Sequence, residues 1–437
     1  DRQTDFAETD VDERQVNTTR FPLFFPEKRA FFLEDAEKFG FGGISRSPLP
    51  FHSRTIGLDS NGNRVPIRLG SKITGKEGKW NSGLLGVGLE ETTELDSDEV
   101  YVGRVSYDIF DESSVGGIFT LGDPRSNEEA ETMGVDFELK DSSFINDNIG
   151  IFRGWAMCTD TEKGSDTGWG LTAMYPNKPV WGRITVQKMG DDLDPAVGFL
   201  RRPGIYELWS FISYETYPKT DLINEIDFDL QTHIDTDLDL NALTEEIELE
   251  TEIEFTSGDF LEMSIRRERE LFDKDFEIFD NIIISEGDYD YWRANAQLGT
   301  AQSRGVYGSI GSDLGLTDYL DGKRYGANGK IGWHPSSSLS MELGGNFRWY
   351  ELKGGEFETI IVDGSIRFTP TKKIALTTRV QFDTVSNELG INSRLRWMMN
   401  PASDIYLVFN QGFRRFDDRF DRTLTEGVVK AGWTFRF

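Results

Sequence analysis

Cysteine, histidine and long apolar runs are what this chain has least of. A single cysteine, Cys158, stands in 437 residues, so no internal disulfide framework is available. The three histidines, His52, His233 and His334, are isolated in sequence, without the i, i+4 or cysteine pairing that a zinc site uses. Basic charge is also short: 47 Lys and Arg against 76 Asp and Glu leave a net charge of −29. That sign is unsuited to neutralising phosphates and argues against a nucleic-acid partner. No stretch approaches the ~20 apolar residues of a spanning helix. Phe21 to Phe25 and Ile282 to Ile284 break off within a few residues. The opening Asp1-Arg2-Gln3-Thr4 has no basic-then-apolar leader, so a mature or trimmed chain is expected.

What the chain does have is aromatic residues (13%), 45 glycines and 32 phenylalanines, beside only 37% hydrophobic residues in all. Such aromatic content excludes global disorder. From about Val65 onward the pattern is a two-residue alternation broken by turn residues, which is the strand signature. In residues 373–383, Ile374, Leu376, Thr378, Val380 and Phe382 oppose Lys373, Ala375, Thr377, Arg379, Gln381 and Asp383. Residues 339–349, 360–368 and 391–399 divide the same way, with charged side chains on one face and aromatics ending the other.

A soluble sandwich would bury the apolar face, whereas an outer-membrane barrel turns it to lipid and its charged face to water. Trp349, Trp397, Trp433 and Phe368 at strand ends fit the interfacial girdle of a barrel. A residual helix pattern able to cover a sandwich edge is missing. The expected fold is therefore all-β: a transmembrane, antiparallel, up-and-down β-barrel of about 18–22 strands. Residues 65–437 form the barrel in this reading. Residues 1–64, with a short helix expected around Phe31 to Lys38, form a non-strand segment that plugs or caps the lumen. The C-terminus agrees. Lys430, Gly432, Phe435 and Phe437 resemble the terminal β-signal by which the outer-membrane assembly machinery recognises barrels.

Acidic residues concentrate in two successive strands. Glu225, Asp227, Asp229, Asp235, Asp237 and Asp239 share one face, followed by Glu246, Glu248, Glu250, Glu252 and Glu254. This ladder has the chemistry to bind Ca2+ or to repel anions in a pore. The plainer reading is a solvated face neutralised across strands by Arg266, Arg267, Arg269 and Arg293. Asp235-Thr236-Asp237-Leu238-Asp239 lacks the glycine of a calcium loop and reads as strand. No resident cofactor or other metal is expected. Gly308-Ser309 and Gly311-Ser312 sit in no nucleophile elbow, so no catalytic residue can be named and an enzyme is not expected.

The phenylalanine-rich opening carries a family resemblance. Asp5-Phe6, Val11-Asp12, Gln15 to Phe21, and Phe24-Phe25-Pro26-Glu27-Lys28-Arg29-Ala30-Phe31-Phe32-Leu33-Glu34 resemble the start of the DUF5916 family. Phe51-His52-Ser53-Arg54-Thr55-Ile56-Gly57, Leu69 to Lys76 and Val197 to Arg202 extend the resemblance over roughly the first half. It implies a bacterial barrel-like protein, often preceded by a family-9-like carbohydrate-binding domain that this sequence does not contain, and it brings no catalytic residues. In this reading Glu27, Lys28 and Arg29 make a charged kink anchored by Phe24, Phe25, Phe31 and Phe32, their charges meeting acids and arginines of the barrel interior.

The functional expectation is an outer-membrane porin-like channel, or a membrane anchor within an envelope complex handling saccharide or polymer. Its partners would be outer-membrane lipid, the assembly machinery, and envelope proteins or saccharide. The alternatives are an outer-membrane hydrolase working through carboxylates and a soluble carbohydrate-binding β protein.

Overall fold

The computed structural model describes residues 12–93, 95–400, 403–417 and 419–433. Among these residues strand predominates from Ile67 onward, with single helical turns at Ala30–Leu33 and Phe144–Asp147 and 3-10 turns at Ala36–Phe39 and Ser53–Thr55. Its contacts divide it into two units. Of the described residues, unit 1 holds those in 21–214 and 230–246, and unit 2 those in 12–20, 215–229 and 247–433.

Unit 1 is built on β1 (Ile67–Glu77), β2 (Trp80–Leu89), β3 (Glu99–Ile109), β4 (Ser113–Leu121), β5 (Glu131–Ser143), β6 (Asn148–Thr161), β7 (Gly164–Pro176), β8 (Val180–Met189) and β9 (Ile205–Thr216). β10 (Ile223–Thr236) and β11 (Ala242–Phe255) follow. Unit 2 carries β12 (Phe260–Phe272), β13 (Phe276–Phe279), β14 (Ile282–Ile284), β15 (Gly287–Gly299), β16 (Val306–Gly315), β17 (Lys323–Ser336) and β18 (Leu339–Leu352). It ends with β19 (Gly355–Thr371), β20 (Ile374–Asp383), β21 (Glu388–Asn400), β22 (Ser403–Phe416) and β23 (Arg419–Trp433). Twenty-one strands share one sheet, while β13 and β14 pair only with each other. The strand pairs in register are antiparallel and sequential, β12 passing over the small hairpin to β15. The count lies inside the expected range but is odd among the described residues.

Residues paired across antiparallel strands share a face, so the registers fix the two sides of the sheet. In unit 1 one row runs Ile73, Leu84, Gly103, Phe119, Met133, Cys158. Ile73 is 72% exposed, Leu84 52% and Met133 54%. The row behind it, Lys72, Leu85, Val102, Thr120, Thr132, Thr159, is covered, with Val102 at 1%. Unit 2 repeats the inversion. Ile331, Leu343 and Val380 stand outward, and the opposite face is a lattice of ion pairs. Arg324 meets Asp313 at 2.5 Å, Arg379 meets Asp363 at 2.6 Å, Lys330 meets Glu342 at 2.8 Å and Arg414 meets Glu388 at 2.5 Å.

Aromatics close both ends of unit 2's apolar face. Trp333, Phe368 and Trp397 lie toward one end, and Trp292, Tyr325 and Trp349 toward the other. Tyr325 and Trp333 are separated by ~26 Å along β17, at ~3.3 Å per residue. The β13–β14 hairpin, unforeseen from sequence, packs with Phe272, Tyr291, Tyr350 and Phe357 into a small dry core.

Two local expectations are corrected. The helix expected over Phe31 to Lys38 is two separate turns, because Asp35 adopts a left-handed conformation (φ 53°) between them. Asp237 and Asp239 do not extend the acidic ladder, since β10 stops at Thr236. Asp237 instead closes a turn, its carboxylate accepting hydrogen bonds from the Asp239 and Asn241 amides and the Asn241 side chain.

Candidate functional site

The segment from Phe21 to Ile56 lies on the polar face of unit 1. Lys72 donates to the Phe31 carbonyl at 2.5 Å and also to that of Glu34. Arg104 donates to the Gly40 carbonyl at 2.9 Å, and Asp136 accepts from the Gly42 amide at 2.9 Å. Phe39 and Phe41 are buried there, and Phe41 packs on Trp155 with ring centroids 6.3 Å apart. Strand glycines make the room: a Cβ on Gly83 would stand 2.9 Å from the Phe39 ring.

Within the charged motif Glu27 and Arg29 satisfy each other, not the strand charges that they were expected to meet. Glu27 accepts from the Arg29 amide at 2.7 Å, from the Arg29 guanidinium at 2.7 Å and from the Ser53 hydroxyl at 2.8 Å. Arg29, 5% exposed, donates onward to the carbonyls of Ile56 and Ser53 and lies 4.3 Å over the Phe32 ring. Lys28 donates its backbone amide to Glu27, Pro26 and Glu34 are exposed, and Arg54 sits half-buried in the Ser53–Thr55 turn. Burial works to raise the Glu27 carboxyl, but the Arg29 and Ser53 contacts overcome it and hold it below its ordinary value.

His52 joins this motif to the stretch near residue 198. Phe24 stacks on its ring at 4.7 Å, its Nε2 lies 3.0 Å from the Phe25 carbonyl, and its amide donates to Val197. Burial lowers its pKa. Leu49 and Phe199 exchange backbone hydrogen bonds, and a Cβ on Gly198 would stand 1.9 Å from the Leu49 carbonyl oxygen, so only glycine fits. Three stretches singled out in sequence, 24–34, 51–57 and 197–199, thus form one knot.

Next to it lies a cavity of about 310 Å3 between residues 42–47 and β6 to β9. Trp155 and Trp209 supply aromatic walls, and Arg183, Thr172, Thr185, Gln187 and Glu207 supply polar ones. Arg183 spans Trp209 at 5.0 Å and donates to Thr185 at 3.2 Å. The roof depends on Gly42 at φ 59°, where a Cβ would meet Trp155 at 2.8 Å. Alternation marks these strands but not this cavity, so sequence reading missed it.

At the edge of that cavity His233 is not isolated in space. Its Nε2 lies 3.0 Å from Asp235 Oδ1 and 3.6 Å from Glu207 Oε1. The remaining ladder is less uniform than its spacing suggested. Arg266 pairs with Glu248, while Arg267 and Arg269 stand on the opposite face and pair with Asp290 at 2.5 Å and Asp288 at 2.7 Å. Arg293 pairs with Glu268. Asp227 converges with Glu215 and Glu225; Asp229, Glu250 and Glu252 line the same face. Of the C-terminal signal, Lys430 is buried on the polar face of β23 and Gly432 follows on the same side; Phe435 and Phe437, like Asp5-Phe6, lie outside the described residues.

No protein-family model matches the sequence, and no curated protein matches it. Among solved structures, the ferric-catecholate import receptor Fiu of E. coli K12 in its open form is similar, with a TM-score of 0.45 and 9% identity over 84% of this chain and 73% of that one. The ferric enterobactin receptor PfeA aligns with a TM-score of 0.37 and 10% identity over 84% of this chain and 72% of its own.

Proposed function

We propose that this chain is an outer-membrane β-barrel whose polar interior is occupied by its own N-terminal segment, so that it works as a plugged conduit rather than an open pore. The observation carrying this reading is the inverted sheet: Ile73, Leu84, Met133, Ile331 and Leu343 are exposed, while the opposite face is covered in unit 1 and lined with ion pairs in unit 2. Water-soluble proteins do not leave apolar faces of that extent uncovered, whereas lipid covers them at no cost in hydration. The aromatic rows flank a stretch comparable to the ~25 Å apolar band of such barrels once strand tilt is allowed for. No described helix is long and apolar enough to cross a membrane. Lys430 and Gly432, with Phe435 and Phe437, serve insertion by the assembly machinery.

Planar-bilayer recording tests the reading. The unaltered chain gives small, intermittent, cation-selective currents, and Phe39→Ala with Phe41→Ala, which loosens the segment, enlarges them. Large steady currents from the unaltered chain would return the open porin, and solubility without detergent would remove the membrane reading altogether. The solute class favoured by the cavity is polyhydroxylated, as in a saccharide, because Trp155 and Trp209 offer apolar faces beside Arg183, Gln187 and Glu207 as hydrogen-bonding groups. Tryptophan quenching by soluble oligosaccharides, lost in Trp209→Ala, checks it.

A further inference from the structure

We infer that Glu207, His233 and Asp235 form a binding site for a divalent transition-metal ion, Zn2+ serving as the probe. One ligand atom from each lies within 4.8 Å of the others, and His233 Nε2 stands 3.6 Å from Glu207 Oε1 and 3.0 Å from Asp235 Oδ1, so one ion can touch all three. The residue types suit such an ion: one imidazole and two carboxylates, the latter carrying the charge that balances it.

A second observation separates this trio from an ordinary acidic patch. The Asp235 side chain is 5% exposed, and no donor is aimed at its Oδ1, which has only the ion-pair contact to His233 Nε2 at 3.0 Å. A buried carboxylate oxygen left without a donor is costly, and a cation resolves it. The outer oxygens are already held. Gln187 Nε2 donates to Glu207 Oε2 at 2.8 Å, and Arg202 Nη1 stands 3.5 Å from Asp235 Oδ2 while also donating to Thr244 at 3.3 Å. Such outer partners orient first ligands toward a common point. Glu207 also lines the 310 Å3 cavity, which gives the ion an entry path and leaves a coordination position open to water or solute. The rival occupant of the same space is a proton on His233, making an imidazolium bridged to both carboxylates.

The full-length protein in detergent is stripped with chelator, loaded with Zn2+, desalted and assayed for metal per chain. One equivalent is retained. His233→Ala and Asp235→Asn each abolish retention, Gln187→Ala weakens the affinity ~10- to 100-fold, and Glu250→Gln, in the neighbouring carboxylate ladder, leaves it unchanged. Substitution with Co2+ shows the visible absorption of a low-coordinate site in the unaltered protein and none in His233→Ala. Retention that is nil in the unaltered chain, or equal in the unaltered and His233→Ala proteins, overturns the site and leaves the protonated imidazole in its place. Electrophoretic heat-modifiability of each variant confirms that its strands have folded.

Discussion

The polar face of unit 1 and the polar face of unit 2 follow one alternation and reach opposite solutions. In unit 1 that face carries Leu85, Val87, Val100, Val102, Ile118 and Met157, all buried, and it takes Phe39 at Gly83 and Phe41 at Gly134 and Trp155. In unit 2 it carries Arg324, Asp313, Arg379, Asp363, Asn392 and Asn410, and the chain meeting it, residues 12–20, does so through ion pairs. Arg14 reaches Asp383 at 2.5 Å and Glu13 reaches Arg379 at 3.0 Å, but Glu13 is 70% exposed. One segment is docked by dry packing with a few buried ion pairs, the other by ion pairs in which Arg14 (23% exposed) and Glu13 (70% exposed) keep part of their water. Dry contacts contribute far more per residue than exposed pairs, so the two halves of the N-terminal segment should differ in how firmly they are held.

Substitutions can break or sharpen that contrast. The largest effect is expected in unit 1 from Arg104→Ala, which strands Asp136 (2.6 Å away, side chains 7% and 11% exposed) and costs about 3–5 kcal/mol. Phe39→Ala follows at about 3–5 kcal/mol if the site cannot collapse. Amide hydrogen exchange over residues 28–56 reads both, and loss of protection there without loss of the strands is the expected outcome. In unit 2, Arg14→Ala should shift protection of residues 12–20 by about 1 kcal/mol or less, given the partial exposure of Arg14, and the effect should vanish in high salt. Equal responses in the two units would dissolve the comparison.

Acid provides a smaller, graded test of the same docking. His52 has its pKa lowered by burial, so the folded segment resists its protonation and loses stability as pH falls below the ordinary 6.5. Glu27, also held low in the fold, adds a second loss as pH falls below its ordinary 4.5. Residues 28–56 should therefore open in two steps on acidification. His52→Gln removes the upper step and leaves the lower.

Much of the fold was legible because strand alternation is a direct statement about faces. The splits at 339–349, 360–368, 374–382 and 391–399 recur unchanged in the registers of β18 to β21. Less was legible where alternation fails. Gly83-Leu84-Leu85-Gly86-Val87 and Val100-Tyr101-Val102 are apolar on both faces, the pattern of a strand covered on both sides, a signal that the reading of faces by alternation passes over. The local pairing of Glu27 with Arg29 and Ser53 depends on a chain reversal that spacing does not reveal. His233 and Glu207 are brought together by adjacent strands, although 26 residues separate them in sequence. Asp237 was misplaced because a turn aspartate and a strand aspartate look alike at i, i+2 spacing.

The central claim is that the apolar face meets lipid and the opposite face meets the N-terminal segment. The direct test is spin-label accessibility in liposomes, with Cys158→Ala as background and single cysteines at adjacent positions: Leu84 and Leu85 in unit 1, Leu343 and Gly344 in unit 2. The account predicts that labels at Leu84 and Leu343 are relaxed by lipid-soluble oxygen and shielded from a water-soluble nickel chelate. It also predicts that the label at Leu85 is screened from both and that the one at Gly344 is reached by the chelate. Chelate access at Leu84 and Leu343 equal to that at Gly344 would contradict it.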